Sequence, residues 1–354
     1  MIYDVAVVGL GPAGSTLARL LSPKLKVIGI DKKSNQEESG FTKCCGGLLS
    51  DDAQRSMARL GLVLPKDVLV NPQIFSVRTI DVNQEKEKYY QRFYLNMDRH
   101  AFDLWLMSLI PDSVELRENA SCSDIQRLAN GNYEVKILRG GKYETIVAKI
   151  VVGADGAGSI VRRKIGKEKG EVYVAIQEWY HAPKQKPFYV SLFDEKISDS
   201  YGWALSKDEY FIAGIAVPIE EANHRFEIFK DHLRDRGFIL DKRVKREGSP
   251  VRLTRSLGDQ YVGEDGVYFI GEAGGFISSS SLEGMSYGMD SASLLATVLN
   301  ESLDHITSRY RKATFGLRMK LTTRIMKRFF IYRPVVRKWI MKSGLQSIRV
   351  DQVE

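Results

Sequence analysis

The sequence predicts an α/β protein with two interleaved domains and a helical segment at its C-terminal end. A glycine-rich turn follows the first strand-like run, aromatic residues alternate with other residues between positions 172 and 217, and a basic segment closes the chain. We therefore assign residues 1–70, 96–170 and 245–303 to an α/β domain assembled from separate segments. Residues 71–95 and 171–244 form the predicted antiparallel β-sheet domain for a substrate, and residues 304–354 form the basic helical segment.

The first 31 residues carry a dinucleotide-binding fingerprint. The apolar run Ile2–Val8 leads into Gly9-x-Gly11-x-x-Gly14, helix-forming residues follow, and a second apolar run ends at Asp31. The first glycine permits a tight turn, the second lets the backbone approach a pyrophosphate, and the third lets helix and strand pack closely. A helix N-terminus favours an anion, and the acid is placed to bond a ribose. The pattern predicts a Rossmann-like domain and leaves the choice of dinucleotide open.

The periodicity of apolar residues predicts further helices and strands. Helical spacing is found in residues 50–60, 99–110 and 226–238, and a buried strand is expected over residues 267–270. The glycine pair Gly140-Gly141 predicts a hairpin between two strands. Short runs with a period of two over Val172–Val217 predict an antiparallel sheet, to which residues 71–95 contribute two further strands.

Composition restricts the class of protein. No apolar run approaches the roughly 18–20 residues that a membrane-spanning helix needs. Cys44, Cys45 and Cys122 are too few for a disulfide framework, and the five histidines lack ligand spacing, so we expect neither a metal site nor a secreted protein. The expected location is cytoplasmic.

The basic charge is concentrated at the C-terminal end. Thirteen Lys or Arg and no Asp or Glu lie between residues 305 and 350, whereas the whole chain carries +8. One interpretation is a solvated helical face. Another is a peripheral contact with the anionic inner face of a membrane, since each cation near such a surface adds about 1 kcal/mol. No nucleic-acid-binding motif accompanies these charges, so nucleic acid is not an expected partner.

Two later glycine clusters narrow the choice of dinucleotide. Strand-like residues 151–153 run into Ala154-Asp155-Gly156, and residues 267–270 run into Gly271-Glu272-Ala273-Gly274 before Glu283-Gly284-Met285. A nicotinamide nucleotide needs one such turn. Three clusters at strand ends suit the greater length of FAD, which needs contacts along its adenine, pyrophosphate, ribityl and ring portions.

These motifs together resemble those of a known flavoprotein family. Gly-Ala-Asp-Gly-x-x-Ser-x-Val-Arg from Gly153 resembles the FAD-binding motif of the p-hydroxybenzoate hydroxylase-like superfamily. Lys43-Cys44-Cys45-Gly46-Gly47, Asp98-Arg99-x-x-Phe102-Asp103, Tyr201-Gly202-Trp203 and Ser281-Leu282-Glu283-Gly284-Met285 resemble the geranylgeranyl reductase family. Within that family, NPQIFSV, RHAFDLW, SSLEG and RKWIM are similar to the colicin M resistance flavoprotein subgroup. The resemblance spans essentially the whole chain.

The resemblance implies a set of FAD-binding residues. Glu272 stands where the superfamily usually has Asp on the ribityl chain and is one methylene longer. Gly284 and Met285 would offer N–H groups to the flavin edge. Cys122 would meet the adenine through its backbone. The full predicted set is Gly9, Gly11, Pro12, Ala13, Gly14, Asp31, Lys32, Cys45, Gly46, Gly47, Arg99, Cys122, Asp155, Gly156, Gly271, Glu272, Gly284 and Met285.

The resemblance also implies a catalytic side of the site. Cys45 would relay a proton or pack against the flavin, with a buried structural thiol as the alternative, and Tyr201 and Trp203 would line an apolar pocket or belong to the core. The implied reaction is reduction of C=C bonds in an isoprenoid or lipid-linked substrate. NAD(P)H, ferredoxin and flavodoxin remain open as electron donors. The alternatives are an aromatic monooxygenase and a flavin-containing lipid-binding or resistance protein without turnover.

Overall fold

The structure is a computed structural model that describes residues 1–34, 43–167, 170–184, 186–344 and 346–350. Within these ranges the strands are β1 Ile2–Val8, β2 Val27–Ile30, β3 Leu48–Leu49, β4 Ile74–Asp81, β5 Lys86–Asn96, β6 Val114–Arg117, β7 Ala120–Arg127, β8 Tyr133–Arg139, β9 Lys142–Gly153, β10 Glu171–His181, β11 Phe188–Phe193, β12 Gly202–Lys207, β13 Tyr210–Val217, β14 Arg243–Leu253, β15 Gly263–Glu264, β16 Val267–Phe269 and β17 Ser347–Ile348. The helices are α1 Pro12–Leu20, α2 Asp51–Arg59, α3 Arg99–Ser108, α4 Ile160–Lys164, α5 Ala222–Arg234, α6 Met285–Glu301, α7 Ile306–Ala313, α8 Phe315–Ile331 and α9 Pro334–Ser343.

The first sheet has the Rossmann-like arrangement that the N-terminal fingerprint predicts. Its main path runs β15-β16-β9-β1-β2-β6, and β7 and β8 join through β9. β1 pairs in parallel with β2 on one side and with β9 on the other, and β9 pairs in parallel with β16. The strand-end turns at residues 9, 154 and 271 therefore lie at the same edge of the sheet, where open α/β sheets bind ligands.

Helices cover one face of this sheet, and the β7–β8 hairpin contributes to the core on the other face. Val5 and Val7 point into a core with Leu17 of α1 and Leu295 of α6, all 0% exposed, whereas Ala6 and Val8 point into the opposite core. Complete burial of a side chain of this size contributes roughly 1.5–3 kcal/mol. Because both faces are covered, β1 is apolar without alternation.

The second sheet follows the order β14-β10-β13-β12-β11-β4-β5-β17. The pairing is antiparallel except between β4 and β11, which are parallel. The predicted antiparallel sheet is confirmed, with this pair as an exception among the described strands. The reason is that β4 and β11 belong to segments separated by an excursion through the first sheet, so no hairpin constrains their direction. β14 pairs with β10 along its length, so residues 245–253 lie in this sheet, beyond the predicted boundary at residue 244.

Each face of the second sheet has a different neighbour. α5 packs on one face through Phe226, Phe229 and Leu233, all fully buried. It begins and ends four residues before the predicted range 226–238. The opposite face carries Tyr201 and Trp203 and meets the loop that precedes β3. The candidate site lies on this second face.

The C-terminal segment is helical, as the sequence predicts, and it is fastened to the rest of the protein. Tyr310 of α7 is fully buried and donates to the Phe269 carbonyl oxygen at 3.0 Å. Arg337 of α9 forms a buried ion pair with Asp81, with the two atoms 2.7 Å apart. Among the residues that the structure describes, no helix is long and apolar enough to cross a membrane.

Candidate functional site

The turn between β1 and α1 is shaped by two glycines that admit no side chain. Gly9 has a φ of +94°, and a Cβ atom there would lie 2.7 Å from the Ala154 carbonyl oxygen. A Cβ atom on Gly14 would lie 1.8 Å from the Gly9 carbonyl oxygen. These contacts draw the start of α1 against the turn and against the end of β9. The first and third glycines of the fingerprint therefore serve packing.

Gly11 differs from its neighbours because the space beside it is open. A Cβ atom there would meet no described atom within 4 Å, and Gly11 is the N-cap of α1, with Pro12 as the first helical residue. No side chain of a described residue caps this helix N-terminus, so the N–H groups at the start of α1 are free of such a cap and suited to an anion. This open cradle fits the pyrophosphate of a dinucleotide.

The Asp155 carboxylate is a second feature that suits a bound ligand. One oxygen of its carboxylate accepts from the Ile160 and Val161 N–H groups, at 2.7 and 3.3 Å. The other oxygen is buried and has no hydrogen-bond partner among the described residues. Burial raises the pKa of Asp155 against the effect of these donors. An unpartnered buried oxygen beside Gly156, at the same sheet edge as Gly11, fits a donor group on a bound cofactor.

Asp31 is buried at the end of β2, as expected for a ribose-binding acid. Its carboxylate accepts from the Leu10 N–H and from the Lys33 N–H, the latter at 2.7 Å. The Lys33 ammonium lies 3.3 Å from Asp31 and 3.7 Å from Asp103, and it is buried. The predicted Lys32 is instead exposed. Sequence reasoning missed Lys33, which lies two positions after the acid that ends the strand.

Gly271 and Ala13 meet where three elements converge. A Cβ atom on Gly271 would lie 2.9 Å from the Ala13 Cβ atom and 3.7 Å from the Gly288 Cα atom. Gly271 has a φ of +57° and its N–H donates to Ser291 of α6 at 2.9 Å. Small residues here let α1, α6 and the turn after β16 approach one another closely.

The Glu272 carboxylate is held by protein donors on both oxygens. One oxygen accepts from the Arg252 N–H at 2.8 Å, and the other pairs with the Lys43 ammonium at 2.5 Å. The acid therefore ties the loop before Cys44 to the end of β14. Its predicted role on the ribityl chain stays a prediction, and the contacts seen add a role in positioning the loop. Lys43 was not singled out from the sequence.

Gly284 and Met285 mark the start of α6. Gly284 is the N-cap, and the Glu283 side chain accepts from the Ser286 N–H at 2.8 Å. The Met285 side chain is buried in a cluster with Leu49 and Phe102. Its backbone N–H remains available for the predicted flavin contact, whereas its side chain serves the core.

Cys45 lies in a loop whose neighbours are cationic. Its sulfur accepts from the Gly47 N–H at 3.4 Å and lies within hydrogen-bonding reach of the Arg99 guanidinium. Burial alone would lower the pKa of Arg99, but the Asp103 carboxylate, 2.9 Å away, and the Cys45 side chain raise it above its ordinary value. Arg99 thus has an acid on one side and the thiol on the other. The structure brings together two residues that the sequence places 54 positions apart.

Cys44 has a different environment. It is 6% exposed and packs with Tyr173, Val251 and Ile277. Burial raises its pKa well above the ordinary value. Cys44 is thus a structural thiol, whereas its neighbour Cys45 is partly exposed.

Lys207 is a buried cation that sequence reasoning missed. Its ammonium donates to Asn96 Oδ1 at 2.7 Å, to the Met97 carbonyl oxygen at 2.6 Å and to the Gly47 carbonyl oxygen at 3.4 Å. Burial lowers its pKa to about 8, and the Cys45 side chain acts in the opposite direction. Its partners are neutral oxygens, so the cation braces the loop without forming an ion pair with them.

Tyr201, directly before β12, and Trp203, on β12, lie on the same face of the second sheet. Tyr201 donates to the Ser281 carbonyl oxygen at 2.7 Å, which joins this strand to the loop before Gly284. Trp203 lies within 3.7 Å of the position that a Gly46 Cβ atom would occupy, and its indole N–H donates to Gln177 at 2.9 Å. The two aromatic residues predicted from the sequence therefore adjoin the Cys45 loop.

Cys122 stands on β7 near Asp155. Its sulfur lies 3.6 Å from the Asp124 carbonyl oxygen, and burial raises its pKa to about 12. The thiol is thus protonated at neutral pH and has no reactive character. The predicted adenine contact concerns its backbone and stays a prediction.

Three comparisons with known proteins place this geometry in context. A relative named protein CbrA, from Escherichia coli O6:H1 strain CFT073, is 47% identical over 347 residues, which cover 98% of this chain and 94% of the relative. A geranylgeranyl bacteriochlorophyll reductase-like protein from Thermoplasma acidophilum has a TM-score of 0.81 at 18% identity and covers 99% of this chain and 92% of its own. A probable FAD-dependent monooxygenase from Pseudomonas aeruginosa has a TM-score of 0.70 at 16% identity, covering 98% of this chain and 100% of its own. No protein-family model matches the chain.

The two solved structures establish the fold, and the relative establishes the family. The chain shares its fold with the geranylgeranyl bacteriochlorophyll reductase-like protein and with the probable FAD-dependent monooxygenase, which confirms the predicted architecture. FAD, the predicted cofactor, agrees with this fold and with the open cradle beside Gly11. The name of the relative specifies no activity. With 47% identity across 98% of its length, the chain belongs to the CbrA family.

Proposed function

We propose that the chain is an FAD-dependent oxidoreductase that saturates C=C bonds in an isoprenoid chain. The observation that carries the proposal is the junction of Cys45, Arg99, Tyr201 and Trp203 beside the strand ends that suit FAD. This junction joins a proton-bearing group to an apolar wall. Reduction of an alkene needs the proton-bearing group and the apolar wall, because an alkene has no polar group by which a site could bind it.

The wall is the face of the second sheet that carries Tyr201 and Trp203. Ile74, Tyr189, Leu205 and Ile212 are buried on this face, and Leu48, after the Cys45 loop, packs against them. Apolar and aromatic lining with a few placed polar groups is typical of sites for apolar ligands. An isoprenoid chain fits that chemistry better than a charged substrate does.

A bound, reduced FAD would supply the hydride for one alkene carbon, and the other carbon would need a proton. The chain's own residues must then hold the substrate, exclude water and supply the proton. Cys45 Sγ is the candidate proton donor, and Arg99 and the Gly47 N–H fix its position. Positioning contributes much of the rate, because an unactivated alkene accepts hydride poorly.

Mass spectrometry tests the proposal. The purified yellow protein is reduced anaerobically and incubated with a polyprenyl phosphate. We expect a product heavier by two hydrogens for each bond saturated. An unchanged substrate, with intact flavin and demonstrated binding, would contradict the proposed reaction.

An aromatic monooxygenase is the second candidate, since a probable FAD-dependent monooxygenase shares the fold. That activity would consume O₂ together with a reduced nicotinamide and a phenolic substrate. A lipid-binding or resistance protein without turnover is the third alternative. It would bind lipid while its flavin resisted reduction by NAD(P)H, ferredoxin and flavodoxin.

A further inference from the structure

Some of the cations of the C-terminal helices form ion pairs with acids in the rest of the protein. Five of the thirteen cations form ion pairs with acids, and two of these pairs bury the cation. The pairs are Arg309 with Glu301, Lys320 and Arg324 with Asp52, Arg328 with Asp199, and Arg337 with Asp81. The last four of these pairs hold α8 and α9 against the body and fix which side of each helix faces outward.

The outward side keeps cations that form no ion pair with a described residue. On α8, on α9 and between them these are Lys327, Arg333, Lys338 and Lys342, all exposed. Between residues 305 and 350 no acid offsets them. The outward side therefore has an uncompensated positive charge.

The same side exposes large apolar residues. Met326, Phe329 and Phe330 of α8 are at least 50% exposed, and Val335 and Trp339 of α9 are 67% and 68% exposed. The Arg333 guanidinium lies 3.9 Å from the centre of the Phe329 ring, and the Lys342 ammonium lies 6.0 Å from that of Trp339. Large exposed apolar residues grouped on two helices that contact each other indicate an interaction surface.

We propose that this exposed side of α8 and α9, the docking face, binds an anionic lipid bilayer. A merely solvated helix would not need exposed Trp and Phe. Helices with aromatic residues beside Lys and Arg lie in the membrane interface, where rings enter the headgroup region and cations meet anionic lipids. The charge of the docking face is complementary to that surface.

The docking face adjoins the candidate site. Tyr332, at the end of α8, donates to the Ser280 carbonyl oxygen at 3.1 Å, next to the residue that Tyr201 contacts. Its ring packs on Phe193, with centroids 5.6 Å apart, and Phe193 packs on Tyr201 at 5.9 Å. A lipid that left the bilayer here would meet the apolar wall directly. Docking itself does not depend on the proposed reductase chemistry.

Vesicle flotation with the full-length protein tests the proposal. We expect binding to phosphatidylcholine vesicles that contain phosphatidylglycerol, little binding to phosphatidylcholine alone, and release by salt. The variant Lys338→Gln/Lys342→Gln should bind roughly 25-fold more weakly, because each cation near the surface contributes about fivefold. Trp339→Ser should also weaken binding.

The matched control is Lys142→Gln/Tyr143→Ser on the β8–β9 hairpin, where Tyr143 is 71% exposed. This variant should bind vesicles like the unaltered protein, and all variants should show the same thermal unfolding midpoint. Failure to bind anionic vesicles at low salt would overturn the proposal. Equal weakening by the control variant, or binding to an acidic protein in place of vesicles, would overturn it as well.

Discussion

In the turn between β1 and α1, on the cofactor side of the candidate site, the glycines of the fingerprint lie close together in sequence and act through main-chain atoms. Gly9, Gly11 and Gly14 shape the turn within six residues, and Asp31 accepts from the Leu10 N–H. On the substrate side, side chains from distant segments meet, as when Lys207 reaches the Gly47 carbonyl oxygen across 160 positions. Backbone geometry therefore determines the glycine turn on the cofactor side. Side-chain contacts between distant segments determine the substrate side.

The largest expected effect distinguishes Gly14 from Gly11 in the turn between β1 and α1. Gly14→Ala would place a Cβ atom 1.8 Å from a backbone oxygen, so α1 must shift. We expect a loss of about 4 kcal/mol in the free energy of unfolding, at the upper end for one substitution. Gly11→Ala has open space and should leave the free energy of unfolding of the apoprotein unchanged while weakening FAD binding. Urea unfolding and flavin titration measure the two quantities. Equal destabilisation by both variants would show that the turn is not built as described.

The second prediction concerns the adjacent free cysteines Cys44 and Cys45. Cys45→Ala should lower the rate of substrate reduction about a hundredfold, the lower range for loss of a general acid, while FAD binding remains. Cys44→Ala removes a buried thiol and should cost about 1 kcal/mol in stability without a comparable change in rate. Single-turnover kinetics and thermal unfolding separate the two outcomes. A normal rate for Cys45→Ala would assign its loop a structural role only.

The third prediction uses Lys207, the buried cation of the substrate side. Lys207→Met leaves the oxygens of Asn96, Met97 and Gly47 without their donor, and we expect a loss of about 2 kcal/mol in the free energy of unfolding. The exposed Lys88→Met on β5 should have little effect. Denaturant unfolding at neutral pH compares the two variants.

The pH dependence of stability tests the same residue. The folded-state pKa of Lys207, about 8, lies below the ordinary value of 10.5. Between these values the unfolded chain binds more protons, so this group makes the unfolding free energy rise with pH. Below pH 8 both states are protonated and its contribution is constant. Lys207→Met should lack the rise that unaltered protein and Lys88→Met show. If Lys207→Met keeps the rise, another group causes it.

The smallest expected effect comes from the aromatic wall. Trp203→Phe removes the indole donor to Gln177 but keeps most of the ring, so we expect a loss of about 1 kcal/mol in stability. Substrate affinity should fall modestly, while FAD affinity should not change. Isothermal titration with a prenyl phosphate and with FAD compares the two affinities. A larger effect on FAD than on substrate would place Trp203 on the cofactor side.

Local contacts explain what the sequence predicts well. The tight turn at Gly9 and the close packing at Gly14 follow from a strand, turn and helix that are contiguous in sequence. The hairpin at Gly140-Gly141 and the helical C-terminal segment follow from similarly local patterns. The parallel pairing of β4 with β11 and the contacts of Lys33 and Lys43 depend on distant segments, which periodicity does not report.

In and next to β12, the sequence contains information about the site that the sequence analysis did not use. Tyr201, Trp203, Leu205 and Lys207 alternate, so they share one face of the sheet. A lysine in line with two predicted site aromatics was a signal that Lys207 also faces the site. Its acceptors at residues 47, 96 and 97 were not readable, since they lie on other elements. The predicted role of Lys32 in cofactor binding stays a prediction, while the ion pairs that Lys33 forms with Asp31 and Asp103 emerge only in the structure.

Anaerobic reoxidation of the reduced flavin tests the central claim most directly. The photoreduced holoprotein is mixed with a polyprenyl phosphate in the absence of O₂, and the flavin absorbance is followed. We predict that the flavin reoxidises with this substrate alone, that its fully saturated analogue has no effect, and that Cys45→Ala slows the reaction. Reoxidation that occurs only after O₂ is admitted would contradict the account and favour a monooxygenase.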